Sequence, residues 1–542
     1  MSEAGNDARQ PGLRARLKDQ APLWIIAVLC VLMASHMRLH TTTFPYTPDS
    51  ASYFEQARTL LTEGAALETP YAPNNEARQP SRLFPVGYPV VLASIGLTGI
   101  DPRDAALLLT RSAGLLLPIL LFVSFRRPLG ARNAALMAML SLSSPSTLTY
   151  STLATSDLLS LLLAVATIGI VLNKQSRSWL MFAGVLGGSA YAVRNAQLAL
   201  LAAIAFYYFF LWATQTKQRR EITLNAAAFL LGVSLILLPV LIRNMTLFGA
   251  INPYHMAPST LSAMHNVRTF IQEMAYDLSG VRSLGIVFGW STTGIALMLL
   301  MAAGVAWFLK TSWSHLSTTR KNTIFLCTAY AAIGASVVIA ARTRYEWGEM
   351  INIRHTLQYT PFLWVAIIGG VSGINTRPHA RAAITTLCLF VMGILHVTYI
   401  AAPRDLVLQK EREQGAIAAL SNGKDFLCHA EAGTITASNW GYVFRIACDT
   451  PTRNIEMDAF ECPAPRPGPT RLNPDCEMMT EASIHAANQL AGQSIKIGFF
   501  MGRGIDLESL PIPENHSTRL QQAAFNINRN SAHGLLLSRQ AR

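Results

Sequence analysis

Charged side chains are scarce in this 542-residue chain: only 14% of the residues are Asp, Glu, Lys or Arg, whereas 51% are hydrophobic. Soluble proteins carry about 25% charged residues, so the deficit excludes a cytosolic enzyme, a coiled coil and a disordered hub. A mean hydropathy of +0.30 and repeated apolar stretches of nearly twenty residues instead indicate a polytopic α-helical membrane protein.

Eleven apolar segments are long enough, or nearly so, to cross a hydrocarbon core that is about 30 Å thick. They are residues 22–40, 104–125, 132–148, 156–173, 178–193, 196–214, 222–243, 286–309, 322–341, 358–376 and 382–401. We therefore predict about 11 transmembrane helices, with the N-terminus in the cytoplasm and the C-terminus outside. The first segment lacks a small-residue cleavage site, so it is interpreted as a retained helix.

The positive net charge of +13 follows the membrane topology. Residues 402–542 contain 14 basic and 15 acidic side chains, a net charge of −1, whereas residues 1–401 contain 30 and 16, a net charge of +14. Seventeen of those 30 basic residues fall in segments predicted to face the cytoplasm, together with four acidic ones. This is the positive-inside distribution, so no nucleic acid partner is expected. The compact loops favour a bacterial inner membrane.

The sequence divides into three predicted parts. Residues 1–20 are expected to be a disordered cytoplasmic arm, residues 21–401 a transmembrane catalytic domain, and residues 402–542 an extracytoplasmic soluble domain of mixed α/β structure. Within the last part we expect short strands over 423–428, 442–448 and 494–501.

Cysteine usage also distinguishes the last part of the chain. Cys428, Cys448, Cys462 and Cys476 lie within 49 residues of one another, which suggests two disulfides in an extracytoplasmic domain. We favour Cys428–Cys448 with Cys462–Cys476, because both pairings close short loops. A tetrahedral metal site is the alternative, although no CxxC spacing is present.

Two stretches of the first predicted outer loop have helical character. In FPYTPDSASYFEQARTLLTEG, Asp49 follows Pro48 where a helix can begin, and helical spacing of apolar residues continues to Gly64. This pattern predicts a helix at the membrane surface, and the alternative role for Asp49 is a helix N-cap. In SRLFPVGYPVVLASIGL, Arg82 precedes a turn that contains Tyr88 and an apolar stretch too short to span, so a second interfacial helix is predicted.

Cationic side chains collect at other positions predicted to lie outside. The late outer loop is the richest in charge: Arg342, Arg344, Glu346, Glu349, Arg354 and His355. The guanidinium group suits phosphate because it binds two oxygens and keeps its charge, although anchoring at the interface is the alternative for any one of these arginines. Arg194 interrupts apolar sequence, where a charge needs a partner. Asp157 is either that partner or a helix cap.

These motifs, in this order, resemble the membrane-embedded glycosyltransferases of the GT-C class. The similar pieces are PDSxxYxxxA, R-x-x-P-x-G-Y-P, STLATSDLLSLLL, AYAVRNAQLALL, LIRNMTLFGAINPYH and RTRYEWGEMINIRHTLQYTPF. The resemblance covers about residues 35–400 and is to the branch that contains the protein O-mannosyltransferases and the aminoarabinose transferase of lipid A.

The resemblance implies transfer of a sugar from a polyprenyl-phosphate donor to an extracytoplasmic lipid, glycan or protein. Asp49 matches the family's general base, and the expected donor-phosphate ligands are Arg82, Arg243, Arg342, Arg344, Arg354 and His355. The secondary candidates are Asp157, Arg194, Tyr53, Tyr88, Glu346 and Glu349. Ser50 departs from the Asp-Glu pair of protein mannosyltransferases, and the first loop contains no DxD. Inversion at the anomeric carbon is expected, because only one strong carboxylate candidate is offered.

No resident metal or other cofactor is required by these patterns, since the outer face shows no HxH, HExxH or paired carboxylates. A donor-bridging divalent cation stays an alternative. Other functions also stay open: an O-antigen ligase or polymerase would rely on a large late loop, and a lipid-linked-sugar transporter or flippase would need polar mid-helix residues and related halves. A non-catalytic membrane platform that presents the C-terminal part would tolerate loss of Asp49.

Overall fold

The computed structural model describes most of the chain. The described residues are 13–41, 43–68, 78–174, 176–254, 258–282, 313, 315–345, 350–371, 404–429, 434–438, 440–448, 453–456, 494–500, 521–522, 525–531 and 534–539. The predicted transmembrane segments 286–309 and 382–401 therefore lie outside the described residues.

Helices account for most of the described residues up to 371. They are α1 (Leu13–Leu39), α2 (Pro48–Glu63), α3 (Gly87–Gly96), α4 (Pro102–Leu129), α5 (Ala131–Leu142), α6 (Pro145–Tyr150), α7 (Asp157–Asn173), α8 (Arg177–Val193), α9 (Leu198–Thr214), α10 (Arg219–Phe248), α11 (Ala263–Ser279), α12 (Thr318–Arg344), α13 (Ile353–Thr356) and α14 (Thr360–Val371). Strands β1 (Leu67–Glu68) and β2 (Gln79–Pro80) pair antiparallel after α2.

Several described helices are long and apolar enough to cross a membrane. They are Gln20–Leu39, Pro102–Leu129, Asn195–Thr214, Thr216–Phe248 and Thr318–Arg344. Their inward faces, with those of α5, α7, α8 and α14, form one continuous apolar core. Helices α2 and α3 form where short helices were expected, and their location at the membrane interface stays a prediction. The total number of crossings and the cytoplasmic location of the N-terminus stay predictions.

Two helix boundaries differ from the sequence-based expectation. Segment 132–148 is not one helix but two, α5 and α6, because Pro145 lacks the N–H needed to continue α5 and instead begins α6, which Ser144 caps. Helix α1 starts at Leu13, within the arm that was expected to be disordered. Leu, Arg and Lys are good helix formers, so the helix extends beyond its apolar part.

Loops predicted to share a membrane side contact one another. At one end of the helices, Arg127 donates to the Asn173 carbonyl at 3.2 Å and the Arg320 Nε donates to the Pro128 carbonyl at 3.3 Å. All four residues belong to segments placed on the cytoplasmic side by the positive-inside rule. The contacts agree with the predicted alternation of loops along the chain.

The described C-terminal part contains both helices and strands. It consists of α15 (Arg404–Cys428), β3 (Ile435–Ser438), α16 (Gly441–Ala447), β4 (Arg453–Glu456), β5 (Ile495–Phe500), β6 (Asn526–Ser531) and β7 (Gly534–Arg539). The sheet order is β4-β3-β5-β7-β6. Strand β3 is parallel to β4 and β5, whereas β7 is antiparallel to β5 and β6.

The local predictions for this part met different outcomes. Strand β5 lies within the expected 494–501, but the strands expected over 423–428 and 442–448 are wrong, because both stretches are helical. Residues 442, 443 and 446 are buried together on one helix face, a burial that only tertiary contacts reveal. A disulfide joins Cys428 to Cys448, the pairing favoured from the sequence. Cys462 and Cys476 lie outside the described residues.

Helices α8 and α10 approach closely enough for their backbones to touch. A Cβ atom added to Gly232 would lie 1.9 Å from the Met181 carbonyl oxygen, and one added to Gly184 would lie 2.0 Å from the Phe229 carbonyl oxygen. Small residues are what permit such helix contacts in membranes.

We expect Gly232→Ala to lower the thermal unfolding temperature of the detergent-solubilised protein, because the added methyl group forces α8 and α10 apart. Overpacking of this kind costs about 1–3 kcal/mol. Gly114→Ala is the matched control, since its added Cβ would meet nothing closer than the Met37 Sδ at 3.5 Å. Equal melting temperatures for the two variants would contradict the close packing.

Candidate active site

Helix α2 presents Asp49 in its first turn without using it as the cap. Thr47 is the N-cap, its backbone N–H donates to the Ser50 Oγ at 3.0 Å, and Pro48 is the first helical residue. Gly64 ends the helix in the left-handed conformation that favours glycine. The N-cap alternative for Asp49 is therefore wrong, and its side chain, 22% exposed, is available for another role.

Arg354 connects Asp49 with a second carboxylate. Its Nη2 donates to the Asp49 Oδ2, and its Nε donates to the Asp157 Oδ2 at 3.1 Å. The short helix α13 holds Arg354 in place, because the Asn352 side chain caps the helix and accepts from the Arg354 N–H at 2.9 Å. One guanidinium group thus contacts two carboxylates from different segments.

Asp157 is the buried centre of this group of charges. Its side chain is fully buried, and Arg194 contacts it from the other side at 2.6 Å between Nη1 and Oδ1. Ser156, not Asp157, is the N-cap of α7. Asp157 is therefore the partner of Arg194. A buried carboxylate requires such compensation, and Arg194, Asp157, Arg354 and Asp49 together are neutral in formal charge.

A layer of amide and hydroxyl side chains supports the charged group. The Gln358 Nε2 donates to the Asp157 carbonyl at 2.9 Å, and the Gln358 Oε1 accepts from the Gln197 Nε2 at 2.7 Å. Gln197 also donates to the Ser160 Oγ at 2.8 Å and accepts from the Tyr330 hydroxyl at 2.7 Å. These buried residues were missed by the sequence analysis. The sequence signal that could have identified them is an amide side chain at the edge of an apolar segment, as at Gln197 and Gln358. A polar group there needs a hydrogen-bond partner.

Arg82 and Arg243 meet at one aromatic ring. The guanidinium carbons lie 5.2 Å and 5.7 Å from the centroid of the Phe248 ring, on the loop before α3 and near the end of α10 respectively. Cation–π contact accounts for each alone, but two like charges at one ring repel each other. Neither has a carboxylate partner among the residues that the structure describes, so the pair forms a candidate anion site.

Comparisons with known proteins relate part of the sequence to one family and the fold to solved structures. Residues 86–243 match the dolichyl-phosphate-mannose-protein mannosyltransferase family. The fold resembles the oligosaccharyltransferase AglB of Archaeoglobus fulgidus, solved with an inhibitory peptide and a dolichol-phosphate, with a TM-score of 0.50, 12% identity and coverage of 96% of this chain and 74% of AglB. The family match covers part of the chain, and the resemblance to AglB shows that the two proteins share a fold.

Further structural relatives have similarly low identity. AglB tethered to an acceptor peptide gives a TM-score of 0.51 at 11% identity, covering 96% of this chain and 74% of that one. ArnT from Cupriavidus metallidurans bound to undecaprenyl phosphate gives a TM-score of 0.45 at 11% identity, covering 95% and 97%. A search among curated proteins finds no significant sequence match.

The two tyrosine candidates, Tyr53 of α2 and Tyr88 of α3, pack against each other. The Tyr53 hydroxyl contacts the Ser156 Oγ at 3.2 Å, and its ring packs edge-to-face against Tyr88 at 4.9 Å between centroids. Burial raises the pKa of Tyr53, so its hydroxyl stays neutral. Both rings are buried, and their position suits orientation of the helix.

Members of the late loop lie in different environments. Arg342 is buried and donates to the Ser259 Oγ at 3.2 Å and the Tyr345 carbonyl at 3.0 Å, so it secures the loop and is not placed to meet a ligand. Arg344 lies over the Tyr345 ring and borders an apolar groove between α11 and α12. Burial, followed by the charges of nearby arginines, lowers the pKa of His355 to about 3, so this residue is neutral at pH 7 and is a poor phosphate ligand.

Glu346 and Glu349 lie outside the described residues. Within the described part of the chain, no three His, Cys, Asp or Glu side chains converge as metal ligands. Arg354 contacts both Asp49 and Asp157, so these carboxylates already share a cation. A divalent cation brought with a donor stays an alternative.

Asp277 is a buried carboxylate that the sequence analysis missed. It accepts hydrogen bonds from the Ser146 N–H at 2.8 Å, the Ser146 hydroxyl at 2.7 Å, the Thr356 hydroxyl at 3.0 Å and the Thr360 hydroxyl. These contacts connect α11 with α6, α13 and α14, and thus with the helix that carries Arg354. Burial raises the pKa of Asp277 to about 6, because the hydrogen bonds replace only part of its hydration.

We expect the stability of the protein relative to Asp277→Asn to fall as the pH rises from about 4 to 7. The pKa of Asp277 is about 6 in the folded protein against an ordinary 3.8, so its contribution is fully present below pH 3.8 and is lost as the pH passes 6. The difference corresponds to on the order of 3 kcal/mol. Melting temperatures of both proteins across this range provide the measurement.

Asp101→Asn is the control, because the pKa of Asp101 is shifted in the opposite direction. Its contribution to stability should stay constant between pH 4 and 7 and be lost only at lower pH. Hydrogen bonds from Arg103 and the charge of Arg58 outweigh burial and hold the pKa of Asp101 below its ordinary value. The stabilisation from Asp101 is therefore lost as the pH falls. A difference between wild type and Asp277→Asn that does not change between pH 4 and 7 would contradict the raised pKa.

Proposed function

We propose that this protein is a GT-C glycosyltransferase. It transfers a sugar from a polyprenyl-phosphate donor to an extracytoplasmic lipid, glycan or protein, with Asp49 as the general base. The observation that carries the proposal is the contact of Arg354 with both Asp49 and Asp157. It leaves one carboxylate accessible and the other buried. The match to a dolichyl-phosphate-dependent family and the dolichol-phosphate bound by AglB support the class of donor.

The environments of the two carboxylates support different roles. Asp157 has no exposed side-chain surface and is held by two arginines, whereas 22% of the Asp49 side chain is exposed. Arg354 contacts the Oδ2 of Asp49, so the other oxygen is left to accept the proton of an acceptor hydroxyl. A general base must be within hydrogen-bond reach of that proton, and only the exposed carboxylate meets this requirement.

Arg82 and Arg243 are proposed to hold the donor phosphate. A phosphate oxyanion placed between the two guanidinium groups would relieve their repulsion and accept paired hydrogen bonds. As the bond from the sugar to this phosphate breaks, the leaving oxygen gains negative charge, and the two cations stabilise it. Arg354 orients the Asp49 carboxylate, which acts on the acceptor.

The proposed transfer is a single displacement. The acceptor oxygen attacks the anomeric carbon while Asp49 takes its proton, and the polyprenyl phosphate leaves with the electrons of the broken carbon–oxygen bond. A covalent glycosyl-enzyme would need a second accessible carboxylate, and Asp157 is neutralised and buried. We therefore propose inversion at the anomeric carbon. A product with retained configuration, assigned by NMR, would overturn this part of the proposal.

The outer side of a bacterial inner membrane is the proposed location of the site. The basic segments that contact one another, such as Arg127 with Asn173, lie in loops alternate to those that carry Asp49 and Arg354. The positive-inside rule assigns the basic loops to the cytoplasm. Arg445 of the C-terminal part contacts Glu55 of α2, which supports the same side for residues 402–542.

Asp49→Asn, expressed in the native host, is expected to remove one glycan from the envelope while the protein accumulates normally. The amide keeps the size of the side chain but cannot take the proton, and general-base catalysis contributes about 10²–10⁴ in rate. Mass spectrometry of lipids and envelope proteins identifies the missing glycan and its acceptor.

The control for this experiment is Asp104→Asn, which also removes a first-turn carboxylate, from the start of α4. It should leave the glycan unchanged. An unaltered profile in Asp49→Asn, beside a changed one in the deletion strain, would reject Asp49 as the base. Unaltered profiles in all strains would favour the non-catalytic alternative.

We expect Arg82→Gln and Arg243→Gln to weaken binding of farnesyl phosphate to the purified protein by roughly 10- to 100-fold, since a charge-assisted hydrogen bond contributes about 1.5–3 kcal/mol. Binding of farnesol, which lacks the phosphate, should not change. Isothermal titration calorimetry in detergent provides the affinities.

Arg219→Gln serves as the matched control for the arginine variants. Its guanidinium carbon also lies over an aromatic ring, that of Trp212 at 4.5 Å, but at the end of the helices opposite to the site. Equal loss of farnesyl phosphate binding in Arg219→Gln and Arg243→Gln would argue against a specific phosphate site.

A further inference from the structure

Helix α16 of the C-terminal part lies directly on helix α2, which carries Asp49. Tyr442, Val443 and Ile446 of α16 are buried in the same apolar cluster as Tyr53 and Phe54 of α2. The Phe44 ring, just before α2, also contacts the Tyr442 ring at 6.2 Å between centroids. Apolar side chains thus pack the C-terminal part against α2 and the residues just before it.

Arg445 adds a charge contact to this interface. Its side chain is only 4% exposed, and its Nη2 lies 2.6 Å from the Oε2 of Glu55 on α2. The next residue, Ile446, accepts a hydrogen bond through its carbonyl from the Arg103 Nη1 at 3.2 Å. A guanidinium group buried to this extent needs a carboxylate partner, so the ion pair specifies where α16 sits on α2.

A second carboxylate lies close to the same guanidinium group. Glu68 of β1 is buried and accepts a hydrogen bond from the Gln56 Nε2 at 3.2 Å. Burial raises the pKa of Glu68, and the charge of Arg445 acts against this rise. Arg445 therefore stabilises negative charge at Glu55, within α2, and at Glu68, in the strand that follows α2.

The position of α16 is itself restrained from its own side. The disulfide between Cys428 and Cys448 joins the end of α15 to the residue after α16. Helix α15 also packs closely, because a Cβ added to Gly415 would lie 2.6 Å from the Trp440 ring. The helix that carries Arg445, α16, is thus held in place by its disulfide and its packing with α15.

The contacts of α2 relate Arg445 to the catalytic carboxylate. Glu55 follows Asp49 by six residues in one continuous helix, and Tyr53 between them contacts Ser156, the neighbour of Asp157. A helix of this length moves as a unit. Any shift of α2 at Glu55 therefore alters the contact between Asp49 and Arg354.

We propose that Arg445 is a positioning residue: through Glu55 it holds α2 so that the Asp49 carboxylate meets Arg354, which makes the C-terminal part a component of the active site. This inference rests on the proposed role of Asp49. It predicts that a substitution in the C-terminal part impairs glycosyl transfer without removing any group that touches substrate.

The experiment compares full-length Arg445→Gln, Glu55→Gln and the double variant in the native host. The readouts are the glycan identified with Asp49→Asn, quantified per copy of protein, and hydrogen–deuterium exchange of residues 48–63 in purified protein. We expect each single variant to lose roughly 10- to 100-fold in transfer, as displacement of a reacting group by about 1 Å does, and to exchange faster in α2. The double variant should lose less than the sum of the two single losses, because the contact between Arg445 and Glu55 is removed in all three variants, although Glu55 also lies 3.7 Å from the Arg78 Nε.

Two further variants separate positioning from general destabilisation. Arg445→Lys retains a cation at the site and should restore a substantial part of transfer, whereas a purely structural loss would follow the melting temperature. Arg177→Gln is the matched control, since its ion pair with Glu221 is exposed on both sides. It should change neither transfer nor exchange in α2. If Arg445→Gln does not accumulate, Glu55→Gln provides the same test from the other partner.

The outcomes distinguish this inference from the function on which it rests. Loss of the glycan in Asp49→Asn but normal transfer in Arg445→Gln and Glu55→Gln would overturn the positioning role and leave the base assignment intact. Additive losses in the double variant would also overturn it. Unchanged transfer in Asp49→Asn would reject the base assignment, and unchanged α2 exchange in Arg445→Gln would then reject the positioning role separately.

Discussion

The Asp157 carboxylate, buried between Arg194 and Arg354, is the contact on which the outer region of this protein depends. A charge removed from water is retained only if opposite charges and hydrogen bonds compensate it. Here the compensation for Asp157, at the start of α7, comes from two segments far away in sequence: Arg194 in the break after α8 and Arg354 in the short helix α13. These segments must therefore converge for the fold to form. Asp49 completes the group from a fourth segment and is its accessible member.

This convergence explains why the two aspartates differ in what they can do. Asp157 is surrounded on all sides, with its backbone carbonyl bound by Gln358 as well, and it can act only on its neighbours. Asp49 shares Arg354 but keeps part of its surface exposed. The same guanidinium group thus orients one carboxylate by anchoring to the other. The arginines at Phe248 belong to a separate contact, the site proposed for the donor phosphate.

The outer helices and the C-terminal part extend this support. Asp277 accepts hydrogen bonds from hydroxyl groups of α6, α13 and α14, so it stabilises the position of the helix that carries Arg354. Arg445 braces the helix of Asp49 from the other side. The two supports act on the two partners of one ion pair. A site built this way is made rigid by residues that never touch the reacting groups.

Hydrophobic periodicity and charge placement were sufficient to predict most of the described apolar helices, the presence of helices α2 and α3, and the resemblance to the GT-C class. These properties are local, since lipid requires long apolar helices and the positive-inside rule acts on short loops. The division of 132–148 could have been read from Pro145, which is also a local signal.

The sequence by itself determined a chain of long apolar helices that resembles the GT-C class, and it predicted that Asp49 and several arginines lie in outer loops. Only the tertiary structure decided that Thr47 caps α2, that Asp157 pairs with both Arg194 and Arg354, and that Arg342 and His355 are buried. The helices over 423–428 and 442–448 belong to the same group. The physical reason is that burial and ion pairing depend on which distant segments meet, and a single segment carries no record of its partners.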